Sequence, residues 1–213
     1  MSAYKNVYNV LAHNTQALRA ADQWEMTEML DAEFQRFRKT EQRRADKGQA
    51  ADFKYRLHWA GDIFNETYAQ ALAQAIQLNS DLTFWCYTRS FFAVPILVNI
   101  PNLILYLSLD PVNSQSGLIT YTDYKTERNN LQLCYMNSVN DFYDQVYRAQ
   151  QIAEGRNQIR KMLGKPEKAL QACAATDMRA CPVDLGKLNL EGGCAACQQC
   201  TKIGRTKPVW FKS

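Results

Sequence analysis

The sequence predicts an α/β protein with N-terminal helices, then a mostly parallel sheet or partial β/α barrel, and an irregular cysteine-rich tail that binds a metal centre. Three observations predict this order. Apolar residues recur at helical spacing near the N-terminus. The middle of the chain alternates strand-like and helix-like periods, which implies parallel crossovers. Finally, four of the seven cysteines fall between Cys181 and Cys200, where regular periodicity gives out.

Taken in order, Tyr4, Val7, Leu11 and Leu18 mark a first helix over residues 4–18. Met26, Met29, Leu30, Phe34 and Phe37 form the stripe of a second. That second helix ends in a basic run that includes Arg43 and Arg44, with Gly48 as its stop. Residues 54–59 read as a strand. Residues 65–79 read as a helix with Tyr68, Leu72, Ala75 and Ile76 on its inner face, and residues 82–87 as the next strand. A short helical or irregular stretch reaches Pro101, followed by an apolar strand over residues 103–109. Further strands are expected at residues 118–122 and 131–136. Asn137 or Ser138 then caps a helix carrying Val139, Phe142, Val146 and Ala153, and a last turn around Ile159 and Leu163 stops before Pro166. The chain thus divides into a helical plus α/β core, residues 1–168, and a cysteine-rich tail, residues 169–213, packed on it as one domain.

At 213 residues the chain can bury a sizeable core without disulfide staples. Its first thirty residues lack the order of a signal peptide, so reduced thiols and a cytoplasmic location are expected. The longest apolar stretch, residues 91–107, is broken by Pro95, Asn99, Pro101 and Asn102, so no membrane span is expected. The net charge of +4 is unevenly spread. Residues 156–213 hold 11 Lys and Arg against 4 Asp and Glu, whereas residues 1–155 hold 14 against 17. A basic patch of this kind attracts nucleic-acid phosphates. It also compensates the charge of about −2 that four thiolates leave on a [4Fe-4S] core or on Zn²⁺.

The cysteine spacing is Cys181-x12-Cys194-x2-Cys197-x2-Cys200, with Gly192 and Gly193 allowing a tight turn before the triplet. Structural zinc sites more often pair two Cys-x2-Cys knuckles. A compact triplet with a distant fourth cysteine followed by Pro182 is closer to iron–sulfur usage, so a [4Fe-4S] cluster is expected, with Zn as the alternative. Four cysteine caps leave no open iron, which favours a structural or electron-transfer role. The Cys-x3-Cys-x2-Cys triplet usual in radical S-adenosylmethionine enzymes is absent from the sequence. Cys86 and Cys134 lie inside apolar strands and read as small buried hydrophobes, and Cys173, eight residues before Cys181, reads as an idle thiol with an alternative ligand as the second reading.

Loops after strand ends gather functional residues in α/β folds. Here they carry His58 and Asp62, then Arg89 within Thr88-Arg89-Ser90, then Asp110. These four could bind phosphate or act as acid and base, or His58 and Asp62 could simply fasten the loop and cap the next helix. The segment RLHWAGDIFNETYAQALAQAIQLNSDLTFWCYTRS, the Cys181-Pro182 element, the cysteine triplet and the closing Val209-Trp210-Phe211 together resemble the bacteriophage gene product 88 family. That resemblance implies a phage protein with a C-terminal iron–sulfur centre and an association with DNA.

Three functions follow as expectations. The leading one is a cytoplasmic phage iron–sulfur protein that binds DNA through Lys202, Arg205 and Lys207 beside the cluster, with Arg43 and Arg44 as a second patch. A nuclease or phosphate-ester hydrolase working with His58, Asp62, Arg89 and Asp110 is the second. A redox carrier or sensor is the third.

Overall fold

The computed structural model describes residues 5–58, 61–136, 154, 161–162, 179–180 and 209–211. Two helices open the chain, α1 (Lys5–Ala20) and α2 (Gln23–Asp46). A capping box starts α2: the Asp22 side chain accepts from the Glu25 amide and the Glu25 side chain from the Asp22 amide, both at 2.9 Å. Gly48, at φ +70°, turns the chain away after α2, as its position in the sequence predicts. Next come β1 (Lys54–Arg56), α3 (Glu66–Leu78), β2 (Thr83–Thr88), a 3₁₀ turn (Phe91–Ala93), α4 (Val94–Leu97), β3 (Leu103–Leu109), α5 (Ser114–Tyr124) and β4 (Leu131–Met136). Two short strands from the tail, β5 (Arg179–Ala180) and β6 (Val209–Phe211), complete the described elements. The expected helices at residues 137–153 and around Ile159 lie outside the described residues.

The sheet order is β1-β2-β3-β4-β6-β5 and every neighbouring pair is parallel. The helices α3, α4 and α5 cross over between consecutive strands, and all three pack on one face together with α2. On that face Phe84, Cys86, Leu105, Leu107 and Leu133 meet Phe34, Leu72, Ile76, Leu97 and Leu118. Each such large apolar side chain contributes on the order of 1.5–3 kcal/mol when fully buried. Phe34 of α2 lies 4.7 Å from the Phe84 ring and 5.1 Å from that of Tyr55, which seats α2 over β1 and β2. Polar ties fix its angle. Arg38 reaches Asp81 and Asn79, and the Asn79 amide reaches Asp31 at 2.6 Å.

Two expectations need correction. Residues 118–122, expected as a strand, are the centre of α5. Ile119, Thr120 and Thr122 are β-branched and suggest a strand. In the fold, Thr120 and Thr122 instead donate to the carbonyls of Ser116 and Leu118 at 2.9 Å, while Leu118 and Tyr121 face the core at helical spacing. The second correction is to β1, which ends at Arg56 rather than Trp59. The Leu57 amide still bonds Trp85, but His58 turns to φ +49° and leaves the sheet.

Candidate functional site at the carboxyl edge of the sheet

Because all strands are parallel, their carboxyl ends share one edge. There β1 delivers His58 and Asp62, β2 delivers Arg89, β3 delivers Asp110 and β4 ends at Met136. Asp62 binds the first two strand ends together. Its Oδ1 accepts from the Ile63 amide at 2.7 Å and from Thr88 Oγ1 at 2.6 Å, and its Oδ2 accepts from the Arg89 amide at 2.7 Å. Ser90 adds a second strap, donating from Oγ to the Ile63 carbonyl at 2.6 Å. Both carboxylate oxygens of Asp62 are therefore engaged, as suits a brace rather than a proton acceptor.

Arg89 links the second strand end to the third. Its guanidinium pairs with Asp110 Oδ2 at 3.1 Å and lies 3.8 Å from the Met136 sulfur. Asp110 is itself held by a local turn. Its Oδ1 accepts from the Val112 and Asn113 amides at 2.9 and 3.0 Å, while Asn113 Oδ1 accepts from the Asp110 amide at 2.8 Å. The Arg89 side chain stays 52% exposed against 19% for Asp110, so it is a cation at this edge that solvent or a ligand can reach.

His58 stands apart from that network. Its Nε2 lies 2.9 Å from the Tyr68 hydroxyl, and the two rings meet edge to face. Among the described residues no hydrogen-bond partner reaches its buried Nδ1. Burial pushes the imidazole pKa below its usual value, with the Asp62 charge opposing in part. Burial likewise pushes the Tyr68 phenol up, so at neutral pH the two form an uncharged pair. The structure thus couples Asp62, Arg89 and Asp110 in one chain of contacts and ties His58 to Tyr68. The cap of α3 is Asn65, which accepts from the Tyr68 amide at 2.8 Å, and not Asp62.

Arg43 and Arg44 sit elsewhere. Arg44 pairs with Glu41 at 3.1 Å, and Glu41 in turn accepts from the Asp52 amide just before β1. That places the end of α2 at the amino edge of the sheet, about 20 Å from the carboxyl edge by the rise of a strand as long as β3. Cys86 and Cys134 are buried, as expected of strand cysteines, and desolvation pushes the Cys86 thiol pKa up. The candidate ligands Cys181, Cys194, Cys197 and Cys200, together with Cys173, Lys202, Arg205 and Lys207, lie outside the described residues. Among the described residues no three His, Cys, Asp or Glu side chains are grouped to hold a metal ion. None of the described helices is long and apolar enough to cross a membrane.

Two partners at this edge were not singled out from sequence. Tyr68 reads there only as an inner-face helical residue. Asn113 carried a usable signal, since Asp110-x-x-Asn113 ahead of a helix is the pattern of a reciprocal side-chain-to-backbone turn.

Residues 1–206 match the family described as gene product 88. The chain is 38% identical over 112 residues to the gene 88 protein of Mycobacterium phage L5, and 40% identical over 111 residues to the gene 88 protein of Mycobacterium phage D29. Each alignment takes in 51% of this chain and 44% of the relative, so the match spans less than half the length of these curated relatives. No solved structure matches the chain.

Proposed function

This chain belongs to the gene product 88 family of phage proteins, and we propose that it is an iron–sulfur protein that binds DNA. In this reading Cys181, Cys194, Cys197 and Cys200 hold a [4Fe-4S] cluster, and Lys202, Arg205 and Lys207 contact phosphates next to it. The observation that carries the reading is the spacing Cys181-x12-Cys194-x2-Cys197-x2-Cys200; Ala180, the residue before Cys181, is the last residue of β5. The donor set supports the cofactor, because four thiolates with a compact triplet suit a cubane. The basic excess of residues 156–213 supports the partner. Hydrolysis at this edge is the weaker reading, since Asp62 is fully engaged and His58 is a neutral partner of Tyr68.

Anaerobic purification with iron, sulfide and zinc counts tests the cofactor, and loss of the absorption bands in Cys197→Ser tests its ligation. Duplex DNA binding followed by fluorescence anisotropy tests the partner. Three phosphate contacts predict that log K falls against log salt with a slope of about −2.7. A cluster-loaded protein that leaves duplex DNA unbound at low salt would sink the DNA reading, and a colourless protein with one zinc would sink the cluster.

A further inference from the structure

The helix α2 is segregated by charge along its length. Residues 22–33 hold five Asp and Glu and no Lys or Arg, whereas residues 36–47 hold six Lys and Arg against two Asp and Glu. The helix macrodipole favours acids at the start of a helix and bases at its end, but only over the first and last turn. Here the division runs through the whole helix, Gln23–Asp46. The side that faces the sheet is marked by the buried Met26, Phe34 and Glu41. On the opposite side Glu25, Glu28, Lys39 and Arg43 are exposed, with the exposed Met29 and Ala32 between the acids and the bases.

Helical geometry makes this outward side complementary to itself. Phe34 lies at the middle of α2 and is buried in the core. Glu25 stands nine residues before it and Arg43 nine after. Nine residues are about two and a half turns, so both lie directly opposite the buried side. Glu28, six residues before Phe34, and Lys39, five after it, lie about 120° and about 140° round the helix and so share one flank of the outward side. Two such helices laid antiparallel about a twofold axis at the level of Phe34 bring Glu25 opposite Arg43 of the second copy and Glu28 opposite its Lys39, and each pairing occurs twice. A parallel arrangement would set acid against acid and base against base. The middle of this flank is open. A concavity of about 430 Å³ lined by Asp31, Ala32, Gln35, Arg36 and Lys39 lies there, and the small Ala32 side chain lets a second helix approach.

We infer that the outward side of α2 is a docking face for a second copy of this chain, which packs antiparallel on it as a twofold dimer through Glu25–Arg43 and Glu28–Lys39 pairs. Charge complementarity selects this occupant. A nucleic acid would be repelled by the acidic half of the face, and an acidic peptide would leave that half unmatched. A surface that carries both signs in reverse order matches the full length, and a second α2 is such a surface. Ion pairs at the rim of a single helix per copy make a weak contact that salt screens. Neither the metal centre nor DNA enters it.

Sedimentation velocity of the full chain tests the dimer. The protein should sediment as a concentration-dependent dimer in about 50 mM salt and shift towards monomer in about 500 mM. Glu28→Lys alone and Lys39→Glu alone should each weaken dimerisation about tenfold or more, because each sets like charges opposite one another, and the combined variant should restore it. Glu25 is the poorer probe, since its side chain also accepts from the Asp22 amide in the capping box. A monomer at every concentration, a dimer that neither substitution weakens, or a combined variant as weak as the single ones would overturn the proposal. A Lys39→Glu variant that loses duplex DNA affinity while its dimerisation is unchanged would assign the basic half to nucleic acid and overturn it as well.

Discussion

His58 carries a pH dependence that its neighbours make calculable in sign. Burial lowers its folded-state pKa below the ordinary value near 6.5, which the unfolded chain retains. Above pH 6.5 both states hold a neutral imidazole, and the buried His58–Tyr68 pair costs nothing extra. As pH falls below that value the unfolded chain takes up a proton first, so folding loses stability until the folded-state pKa is reached. The urea midpoint should therefore drop between pH 7.5 and pH 5.5, and His58→Asn should remove that part of the drop. Asn is the informative replacement because it tolerates the left-handed backbone at φ +49°. An unchanged pH profile in the variant would show that another group sets the dependence. Asp62 and Asp110 complete the picture at this scale: Asp62 spends both oxygens on two amides and the Thr88 hydroxyl, and Asp110 spends Oδ1 on two amides and Oδ2 on the Arg89 guanidinium.

Gly117 decides the packing of α5. A methyl group there would collide with Leu109 and lie 2.8 Å from the Phe91 ring, so the helix approaches β3 and the 3₁₀ turn as closely as a bare backbone allows. Gly117→Ala should cost about 1–3 kcal/mol through overpacking, despite the better helix propensity of alanine. A lowered urea midpoint with an unchanged m-value would confirm it, and a stabilised variant would mean that α5 can move outward. Most elements are legible from pattern because their apolar residues keep one period. The inner-face positions of α3 and the seven buried residues of β3 are of this kind. The α5 segment is not. Its few apolar side chains and β-branched hydroxyls look strand-like until Thr120 and Thr122 are seen to bond back along the helix.

Across the whole molecule, Arg43 and Arg44 belong to the amino edge of the sheet, where Glu41 pairs with Arg44, whereas Ala180, the residue before Cys181, ends β5. On the proposed function, Arg43→Ala with Arg44→Ala should leave duplex DNA affinity and its salt slope nearly unchanged. The combined Lys202→Ala, Arg205→Ala and Lys207→Ala variant should flatten the slope towards zero. The opposite result in anisotropy titrations would move the DNA surface to α2. The amino-acid sequence by itself determined the helices α1, α2 and α3, the parallel strand order through β3, the strand-end residues and the cysteine spacing, because each is written in local period or in spacing along the chain. Only the tertiary structure decided that Asp62 grips a strand end 27 residues away, that His58 belongs to Tyr68, and that β6 enters between β4 and β5. Those outcomes depend on which strands become neighbours and which face a crossover takes, and that choice is made by packing the whole chain at once.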